Sequence, residues 1–267
     1  MSVPEVVVYR DGSLLAQAVA ARLVTGLTDA FAARGSASVV LTGGGIGTKV
    51  LTELAAAPAR DAIDWPRLDI WWGDERFVPV GDPDRNETGA RAALLDHVDV
   101  TPARVHPMPG PDGPDGDDPE AAAARYASWL ADAARADGAG PDGHSPVPSF
   151  DVLMLGIGPE GHVASLFPGR PELGDTRPVV AVRDSPKPPP TRLSLTLPSL
   201  QAAREVWILA SGGEKADAVA LAVTGDGLHG SAPVPAAGAR GRQQTLFLLD
   251  GAAAAKVTAQ ASYPGAG

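Results

Sequence analysis

The segment of the chain with the clearest chemical potential is the glycine-framed turn Gly156-Ile157-Gly158-Pro159-Glu160-Gly161-His162. It follows an apolar run and places a carboxylate, Glu160, two residues before an imidazole, His162. A near-neutral imidazole that a carboxylate orients is the usual group for activating water to attack a carbonyl. We therefore interpret His162 as a functional residue. The histidines that lie outside such a turn are expected to be structural: His97, His106, His144 and His229.

The same glycines fit the dinucleotide-binding pattern G-x-G-x-x-G, and Arg183 lies where a cofactor-selecting residue would follow. Two residues argue against a nucleotide. Glu160 would put a negative charge at the helix N-terminus that must face pyrophosphate, and Pro168 would stop that helix too early. Ser165 follows closely, but without a G-x-S-x-G elbow we expect a helix hydroxyl rather than a nucleophile.

A second candidate is the glycine-rich segment Leu41-Thr42-Gly43-Gly44-Gly45-Ile46-Gly47-Thr48, between an apolar strand and the helix-like stretch Lys49 to Ala57. Glycines in such a place let backbone N–H groups approach an anion at a helix N-terminus. A tight turn without a ligand is the alternative, but one glycine would be enough for a turn. The segment lacks the Gly-Lys-Ser/Thr of a Walker loop. Gly43, Gly44 and Gly45 are therefore predicted to bind an anion.

Three consecutive charges, Asp74, Glu75 and Arg76, follow a buried-type strand that ends at Trp72. The carboxyl ends of strands line the ligand crevice in open α/β sheets, so charges at such a position are candidates for a site. A solvated turn with a local ion pair explains them equally well. Two further strand-end cations, Arg192 and Lys215, have the chemistry to meet a phosphate, although each alone fits an ordinary surface charge.

No metal site is predicted. The chain has no cysteine, which excludes thiolate zinc sites, iron–sulfur clusters and disulfides. Asp82, Asp84 and Asn86 resemble the start of a calcium loop, but Glu87 stands in place of the required glycine and Ala93 in place of the bidentate Glu.

These residues are positioned by short apolar runs that alternate with amphipathic stretches, the pattern of parallel strands joined by crossover helices. Ser13 to Arg34 has helical spacing, with Ser13 as its N-cap and Gly35 just past its end. Seven runs are predicted to be strands: Val39 to Leu41, Leu68 to Trp72, Asp151 to Leu155, Val179 to Val182, Arg192 to Leu197, Val206 to Ala210 and Thr245 to Leu249. We expect an α/β fold with a mostly parallel, doubly wound sheet and helices on both faces.

Two segments rich in Pro, Gly and Asp, Pro109 to Pro119 and Asp137 to Pro148, flank a helix-like stretch that begins at Glu120. They are interpretable as linkers between two domains or as loops within one. Because strand–helix alternation resumes after them, we expect one continuous sheet and a single domain over residues 1–267, with a core at residues 6–250. The tail from Gly251 to Gly267 is expected to fray.

Composition excludes several classes of protein. The 267 residues carry 22 Lys+Arg against 32 Asp+Glu, a formal net charge of −10. Such a charge argues against broad binding to nucleic acid or an anionic membrane. The N-terminus lacks a signal peptide pattern, and no long uncharged apolar stretch suits a membrane span. A cytoplasmic protein, a monomer or weak dimer, is expected.

Taken together, Trp72-Gly73-Asp74-Glu75-Arg76, the Gly156 to His162 turn with the following Ser165-Leu166-Phe167-Pro168-Gly169, Arg192 with Thr196, and Gly213-Glu214-Lys215-Ala216 resemble the 6-phosphogluconolactonases. The resemblance extends from Val7 to Leu249. It implies the fold shared with glucosamine-6-phosphate deaminase and ribose-5-phosphate isomerase. It also implies hydrolysis of 6-phosphoglucono-δ-lactone to 6-phosphogluconate, the second step of the oxidative pentose phosphate pathway, without metal or organic cofactor.

By position, the resemblance implies that His162 is the general base and that Glu160 assists it. It implies that Gly43, Gly44 and Gly45, with Arg192 and Lys215, hold the phosphate, and that Arg76 lies near the substrate; Asp74 belongs to the same candidate site. Two departures stand out. The family's Ser-Gly-Gly-Ser-Thr-Pro loop has lost two hydroxyls here, and the usual Asp before Gly-His is Glu160.

Two other functions remain as alternatives. A deaminase of the same fold shares the glycine loop and the histidine turn, but it typically continues Phe-Asn-Glu-Pro where this chain has Leu166-Phe167-Pro168-Gly169. A non-catalytic sugar-phosphate-binding regulator would usually carry a basic DNA-binding segment, and no such segment is present here.

Overall fold

A computed structural model describes residues 2–136, 146–225 and 234–257 of the chain. Six parallel strands form a sheet in the order β1-β9-β8-β5-β2-β3, and three antiparallel strands form a second sheet in the order β4-β7-β6. The strands are β1 (Pro4–Tyr9), β2 (Ala37–Leu41), β3 (Leu68–Trp72), β4 (Asp74–Arg76), β5 (Val152–Gly156), β6 (Val179–Val182), β7 (Arg192–Leu195), β8 (Glu205–Ala210) and β9 (Gln244–Asp250).

Helices connect the strands in the described residues. They are α1 (Gly12–Arg34), α2 (Gly44–Ala56), α3 (Asn86–Ala93), α4 (Pro119–Ala136), α5 (Leu197–Leu200), α6 (Ala216–Thr224) and α7 (Pro235–Gly238). Short 3₁₀ turns occupy Pro58–Ala62, Trp65–Arg67, Leu95–His97, Pro102–Arg104, Pro171–Gly174 and Gly213–Lys215. The predicted fold class is confirmed: a mostly parallel α/β sheet whose central strands bury nearly every residue under the covering helices.

The seven predicted strands are all present, but the expectation of one continuous sheet is wrong. Two strands were not predicted from the sequence. β1 is a six-residue strand at the edge of the parallel sheet, and β4 consists of three charged residues. β4 is extended because it pairs with β7, residue against residue from Asp74 to Arg76. Tertiary pairing of this kind overrides local propensity, which is low for charged residues in strands.

Helix α1 begins at Gly12, and its N-cap is Asp11 rather than Ser13 as predicted. The Asp11 carboxylate accepts hydrogen bonds from the backbone N–H groups of Ser13 and Leu14, at 3.0 and 2.9 Å. A carboxylate at the position before the helix satisfies two amides that have no partner within the helix. Gly35 ends the helix at φ 74°, the left-handed conformation that glycine tolerates.

Of the described helices, α1 has the length and hydropathy that a membrane span also needs: it has 23 residues, and an 18-residue stretch of it has mean hydropathy 1.2. In this structure, the apolar residues of α1 pack on the parallel sheet and form one face of the core. They are Leu15, Ala16, Val19, Ala20, Leu23, Val24, Leu27 and Ala30.

Other boundaries differ in detail. β7 ends at Leu195, because Thr196 is already the N-cap of α5. Residues 109–118 form a loop as predicted, and α4 begins at Pro119, one residue earlier than expected. Of the second predicted loop, residues 137–145 lie outside the described residues, as do residues 258–267 of the predicted frayed tail.

The topology gathers the chemistry-bearing segments. Strands β8, β5, β2 and β3 are neighbours and run parallel, so their carboxyl ends meet at one edge of the sheet. The glycine-rich segment follows β2, the charged strand β4 follows β3, the histidine turn follows β5, and the Lys215 turn follows β8.

Candidate active site

A cleft of about 430 Å³ opens at this edge of the sheet. It is lined by eight of the nine residues proposed from the sequence: Gly43, Gly44, Gly45, Asp74, Arg76, His162, Arg192 and Lys215. Glu160 is the ninth and lies beside it, against His162. Segments more than a hundred residues apart in sequence therefore meet in one cavity.

The glycine-rich segment forms the first turn of α2, which begins at Gly44 rather than at Lys49 as predicted. Gly43 is the N-cap, and no side chain caps the helix. The first amides of a helix carry partial positive charge and bind anions when they are free. A Cβ on Gly43 would lie 1.8 Å from Oδ1 of Asn86, so a larger residue there would displace the Asn86 side chain.

Lys215 brings a cation to the same cleft. It closes the 3₁₀ turn after β8, and its Nζ donates to the carbonyl oxygen of Ser211 at 3.0 Å. Its partner Glu214 is 3.9 Å away, so the ammonium is only loosely neutralised. Lys49 in α2 lines the cleft as well. An anion in the cleft would therefore meet positive charge from two elements.

The imidazole of His162 lies against the carboxylate of Glu160, as the sequence predicted. Nδ1 is 3.1 Å from Oε1 of Glu160. Nδ1 is nevertheless buried without a hydrogen-bond partner, so its contact with Glu160 is electrostatic. That burial leaves Nε2 as the ring nitrogen that water in the cleft can approach.

The surroundings keep His162 neutral. Burial lowers the pKa of His162, and the ammonium of Lys187 lowers it further, while Glu160 and Asp74 oppose them; the pKa stays below its ordinary value. For Glu160, partial burial alone would raise the pKa. Its own backbone N–H, His162 and Lys187 outweigh burial and lower the pKa of Glu160. A neutral imidazole beside an ionised carboxylate is the state a general base requires.

The glycines of the turn make this pair possible. A Cβ on Gly158 would lie 2.0 Å from Nδ1 of His162 and 2.6 Å from Oε2 of Glu160, so both side chains fold back over bare backbone. Gly161 has φ 87°, and a Cβ there would lie 2.3 Å from Val234. The stretch after the turn is irregular rather than helical, which agrees with the rejection of a nucleotide site.

Asp74 is buried at the floor of the cleft and is held by side chains from two other segments. Ser165 Oγ donates to its Oδ2 at 2.7 Å. Asn86 Nδ2 donates to its carbonyl oxygen at 2.8 Å. Ser165 is therefore a buried hydrogen-bonding residue in a turn, and the expectation of a helix hydroxyl is wrong.

Arg76 and Arg192 stand directly opposite each other on the antiparallel strands β4 and β7. Both line the cleft. Like charges in directly opposed positions of a strand pair are destabilising. Burial lowers the pKa of Arg192, and the charge of Arg76 also lowers it, while the carboxylates of Asp74 and Glu75 oppose this shift. Both guanidinium groups can donate charge-assisted hydrogen bonds, so an anion in the cleft would offset their repulsion.

Glu75, between Asp74 and Arg76, faces away from the cleft and anchors α3. Its carboxylate accepts backbone hydrogen bonds from Asn86 at 2.7 Å and Glu87 at 2.9 Å, the first two residues of α3. Burial raises the pKa of Glu75 to about 7, against the opposing effect of Arg85 and three backbone N–H groups. The charges after Trp72 are thus neither a solvated turn nor a surface ion pair.

Asn86 and Lys187 are among the residues of the cleft that sequence reasoning missed. Nη1 of Arg76 donates a hydrogen bond to Oδ1 of Asn86 at 2.7 Å. In the sequence, Asn86 stands out only as part of an incomplete calcium loop. Lys187 follows β6 in a proline-rich loop, and its Nζ donates to Oε2 of Glu160 at 3.2 Å. A lysine amid prolines between two predicted strands was the available signal.

The other histidines within the described residues do not line the cleft. His106 stacks on Trp71 at 3.8 Å and contacts Asp69, and His97 Nε2 lies 3.0 Å from the carbonyl oxygen of Ala92. His144 and His229 lie outside the described residues. In residues 2–136, 146–225 and 234–257, no group of three or more His, Asp or Glu side chains is arranged to hold a metal ion.

Comparison with known proteins gives relatives of similar sequence over nearly the whole chain. A 6-phosphogluconolactonase of Streptomyces coelicolor is 59% identical over 262 residues, covering 98% of this chain and 97% of the relative. One of Mycobacterium tuberculosis is 51% identical over 251 residues, covering 94% of this chain and 97% of the relative.

Solved structures agree. The 6-phosphogluconolactonase of Trypanosoma brucei is 27% identical with a TM-score of 0.76, covering 96% of this chain and 99% of that chain. A monomeric glucosamine-6-phosphate deaminase, 20% identical with a TM-score of 0.74 over 94% of this chain and 99% of that one, shares the fold. Residues 10–248 match the family described as glucosamine-6-phosphate isomerases/6-phosphogluconolactonase. The chain therefore belongs to the glucosamine-6-phosphate isomerase and 6-phosphogluconolactonase family.

Proposed function

We propose that this chain hydrolyses the ring ester of 6-phospho-D-glucono-1,5-lactone to 6-phospho-D-gluconate, in the oxidative pentose phosphate pathway. The near-full-length relatives at 59% and 51% identity are 6-phosphogluconolactonases. The observation that carries the proposal is the content of one cleft: a neutral imidazole suited to activating water, and cations with a free helix N-terminus suited to a phosphate.

In the proposed mechanism, Nε2 of His162 takes a proton from a water molecule as the water oxygen attacks the lactone carbonyl carbon. The carbonyl oxygen becomes negatively charged in the tetrahedral intermediate. When that intermediate collapses, the bond between the carbonyl carbon and the ring oxygen breaks. The imidazolium returns its proton to the departing ring oxygen, which becomes a hydroxyl group, and the carboxylic acid ionises. General-base catalysis of this kind contributes roughly 10²–10⁴-fold.

Glu160 supports the base by charge. Its carboxylate lies 3.1 Å from Nδ1, so it stabilises the imidazolium that forms as the proton is taken. Because the contact is not an aligned hydrogen bond, Glu160 acts as a neighbouring charge more than as an orienting acceptor. The extra methylene relative to the family's usual aspartate is accommodated by the bare backbone of Gly158.

The phosphate is proposed to bind where positive charge converges in the cleft. Gly43, Gly44 and Gly45 offer backbone N–H groups, since the loop has lost two of the family's hydroxyls. Lys215 supplies a loosely paired ammonium. Arg76 and Arg192 supply the opposed guanidinium groups, and buried Asp74 fixes the strand that carries Arg76. No metal or organic cofactor takes part in this proposal.

We also propose a single domain over residues 1–267, acting in the cytoplasm as a monomer or weak dimer on a small sugar-phosphate lactone, with neither nucleic acid nor membrane as a partner. The net charge of −10 supports the exclusion of polyanionic partners. It also makes the local cations of the cleft the features that draw an anionic substrate.

A coupled assay tests the reaction. The lactone is generated from glucose 6-phosphate by its dehydrogenase, and 6-phosphogluconate is followed with the next dehydrogenase of the pathway. We expect the chain to accelerate product formation well above spontaneous hydrolysis. No acceleration, together with turnover of glucosamine 6-phosphate, would instead assign the deaminase activity.

A further inference from the structure

Arg192 does more in this structure than face the cleft. Its guanidinium holds the proline-rich loop that joins β6 to β7. Nη2 donates to the carbonyl oxygens of Lys187 at 2.9 Å and Pro188 at 3.2 Å, and Nε donates to that of Pro189 at 3.2 Å. Three consecutive carbonyls of the loop are therefore fixed by one buried side chain. Nη1 makes only a long contact of 3.5 Å to Ser165 Oγ, so it is the part of Arg192 best placed to meet a substrate.

The loop fixed in this way places Lys187 next to Glu160, the carboxylate beside the base. The Nζ atom of Lys187 lies 3.2 Å from Oε1 and 3.2 Å from Oε2 of Glu160. Oε1 is the same oxygen that lies 3.1 Å from Nδ1 of His162. An ammonium and an imidazole therefore share one carboxylate. The Lys187 side chain is 41% exposed, so it reaches Glu160 from the solvent side.

We propose that Lys187 is a positioning residue for the lactonase reaction, which shares the Glu160 carboxylate with His162 and so keeps the imidazole neutral near pH 7. This inference rests on the proposed function. A carboxylate alone beside a histidine favours the protonated ring, which cannot accept a proton from water. The ammonium offsets part of that effect, so the carboxylate still stabilises an imidazolium when one forms, but less than it would alone, and the resting ring stays neutral.

The charges that face His162 come from several elements. Glu160 lies on its own turn, Lys187 on the loop before β7, and Asp74 on β4. The Phe167 ring packs against the imidazole at 4.6 Å between ring centres, and the Arg192 guanidinium lies 5.9 Å from the centre of the Phe167 ring. Two carboxylates therefore favour the protonated imidazole, and Lys187 is the cation that directly shares a partner with it.

The test measures the protonation of His162 with and without this ammonium. The variants are Lys187→Met, which removes the charge, and Lys187→Arg, which keeps it. Lys256→Met is the matched control, because it removes one exposed lysine paired with Asp217 on the surface. Imidazole resonances of the substrate-free protein are titrated by NMR, with the His162 signal assigned from its absence in His162→Asn.

We expect the His162 midpoint to move to higher pH in Lys187→Met and to stay at the wild-type pH in Lys187→Arg and Lys256→Met. In the coupled assay, the acid limb of kcat/KM moves the same way. At pH 6 the rate relative to the alkaline plateau falls by about threefold, the effect of one nearby charge screened by water.

An unchanged His162 midpoint in Lys187→Met would overturn the inference. So would a lower plateau with an unmoved acid limb, because that result would make Lys187 a substrate-binding residue. The NMR titration needs no substrate, so it fails or succeeds independently of whether the chain hydrolyses the lactone.

Discussion

Replacing Gly158 by alanine displaces the imidazole of His162 without changing the identity of that residue. The new Cβ would lie 2.0 Å from Nδ1 and 2.2 Å from Cε1 of His162, whereas ordinary contacts begin near 3.4 Å. The imidazole must therefore retreat by about 1 Å or more, and misplacing a catalytic group by that distance costs roughly 10²-fold in rate. Gly158 does not have a positive φ, so the backbone accepts alanine and the effect comes from the contact.

The assay is steady-state kinetics of lactone hydrolysis, with spontaneous hydrolysis subtracted. We expect kcat to fall roughly 10²-fold while KM changes little, since the phosphate-binding groups are not displaced. Gly174→Ala is the matched control, because no atom lies within 4 Å of a Cβ there and its φ is not positive. Thermal unfolding of both variants checks that the fold is kept. A well-folded Gly158→Ala with wild-type kcat would refute the geometry given for the base.

Two further predictions concern charge. Lys215→Ala should raise KM about tenfold or more with little change in kcat, since a charge-assisted contact to phosphate contributes about 1.5–3 kcal/mol; equal KM values would show that Lys215 is a surface charge. Burial raises the pKa of Glu75 from an ordinary 4.5 to about 7. The folded chain then holds a proton that the unfolded chain releases between those values, so the stability contributed by this group is complete below pH 4.5 and is lost as pH rises through 7. Denaturant unfolding at about pH 5.5 and about pH 8, on either side of the folded-state pKa, should show this loss in wild type but not in Glu75→Gln, and an equal loss in both would contradict it.

The glycine-framed turn shows what sequence reasoning can reach. Glu160 and His162 are two residues apart, so their meeting follows from local geometry, and the glycines between and before them are visible in the sequence. The cleft itself follows from a topological rule: segments after neighbouring parallel strands meet at one edge of the sheet. That rule alone is sufficient to bring Gly43, His162 and Lys215 together.

The features that were not predicted from the sequence depend on pairing between distant segments. The strand β4 is charged throughout and becomes extended only because β7 lies beside it, which also sets Arg76 opposite Arg192. In the sequence, Glu75 is one more charged residue of an apparent turn. In the structure it is buried, and its carboxylate accepts hydrogen bonds from the first amides of α3. The role of Lys187 is hidden for the same reason, since three carbonyls must be fixed by Arg192 before its loop faces Glu160.

The most direct test of the account is the turnover of His162→Asn in the coupled lactone assay. Asparagine removes the titrating ring and keeps a shorter polar side chain above Gly158. If His162 takes the proton from the attacking water, kcat falls roughly 10²–10⁴-fold while KM stays close to the wild-type value, and the acid limb of the pH profile disappears. A variant that keeps most of the wild-type kcat and the same acid limb would show that another residue is the base.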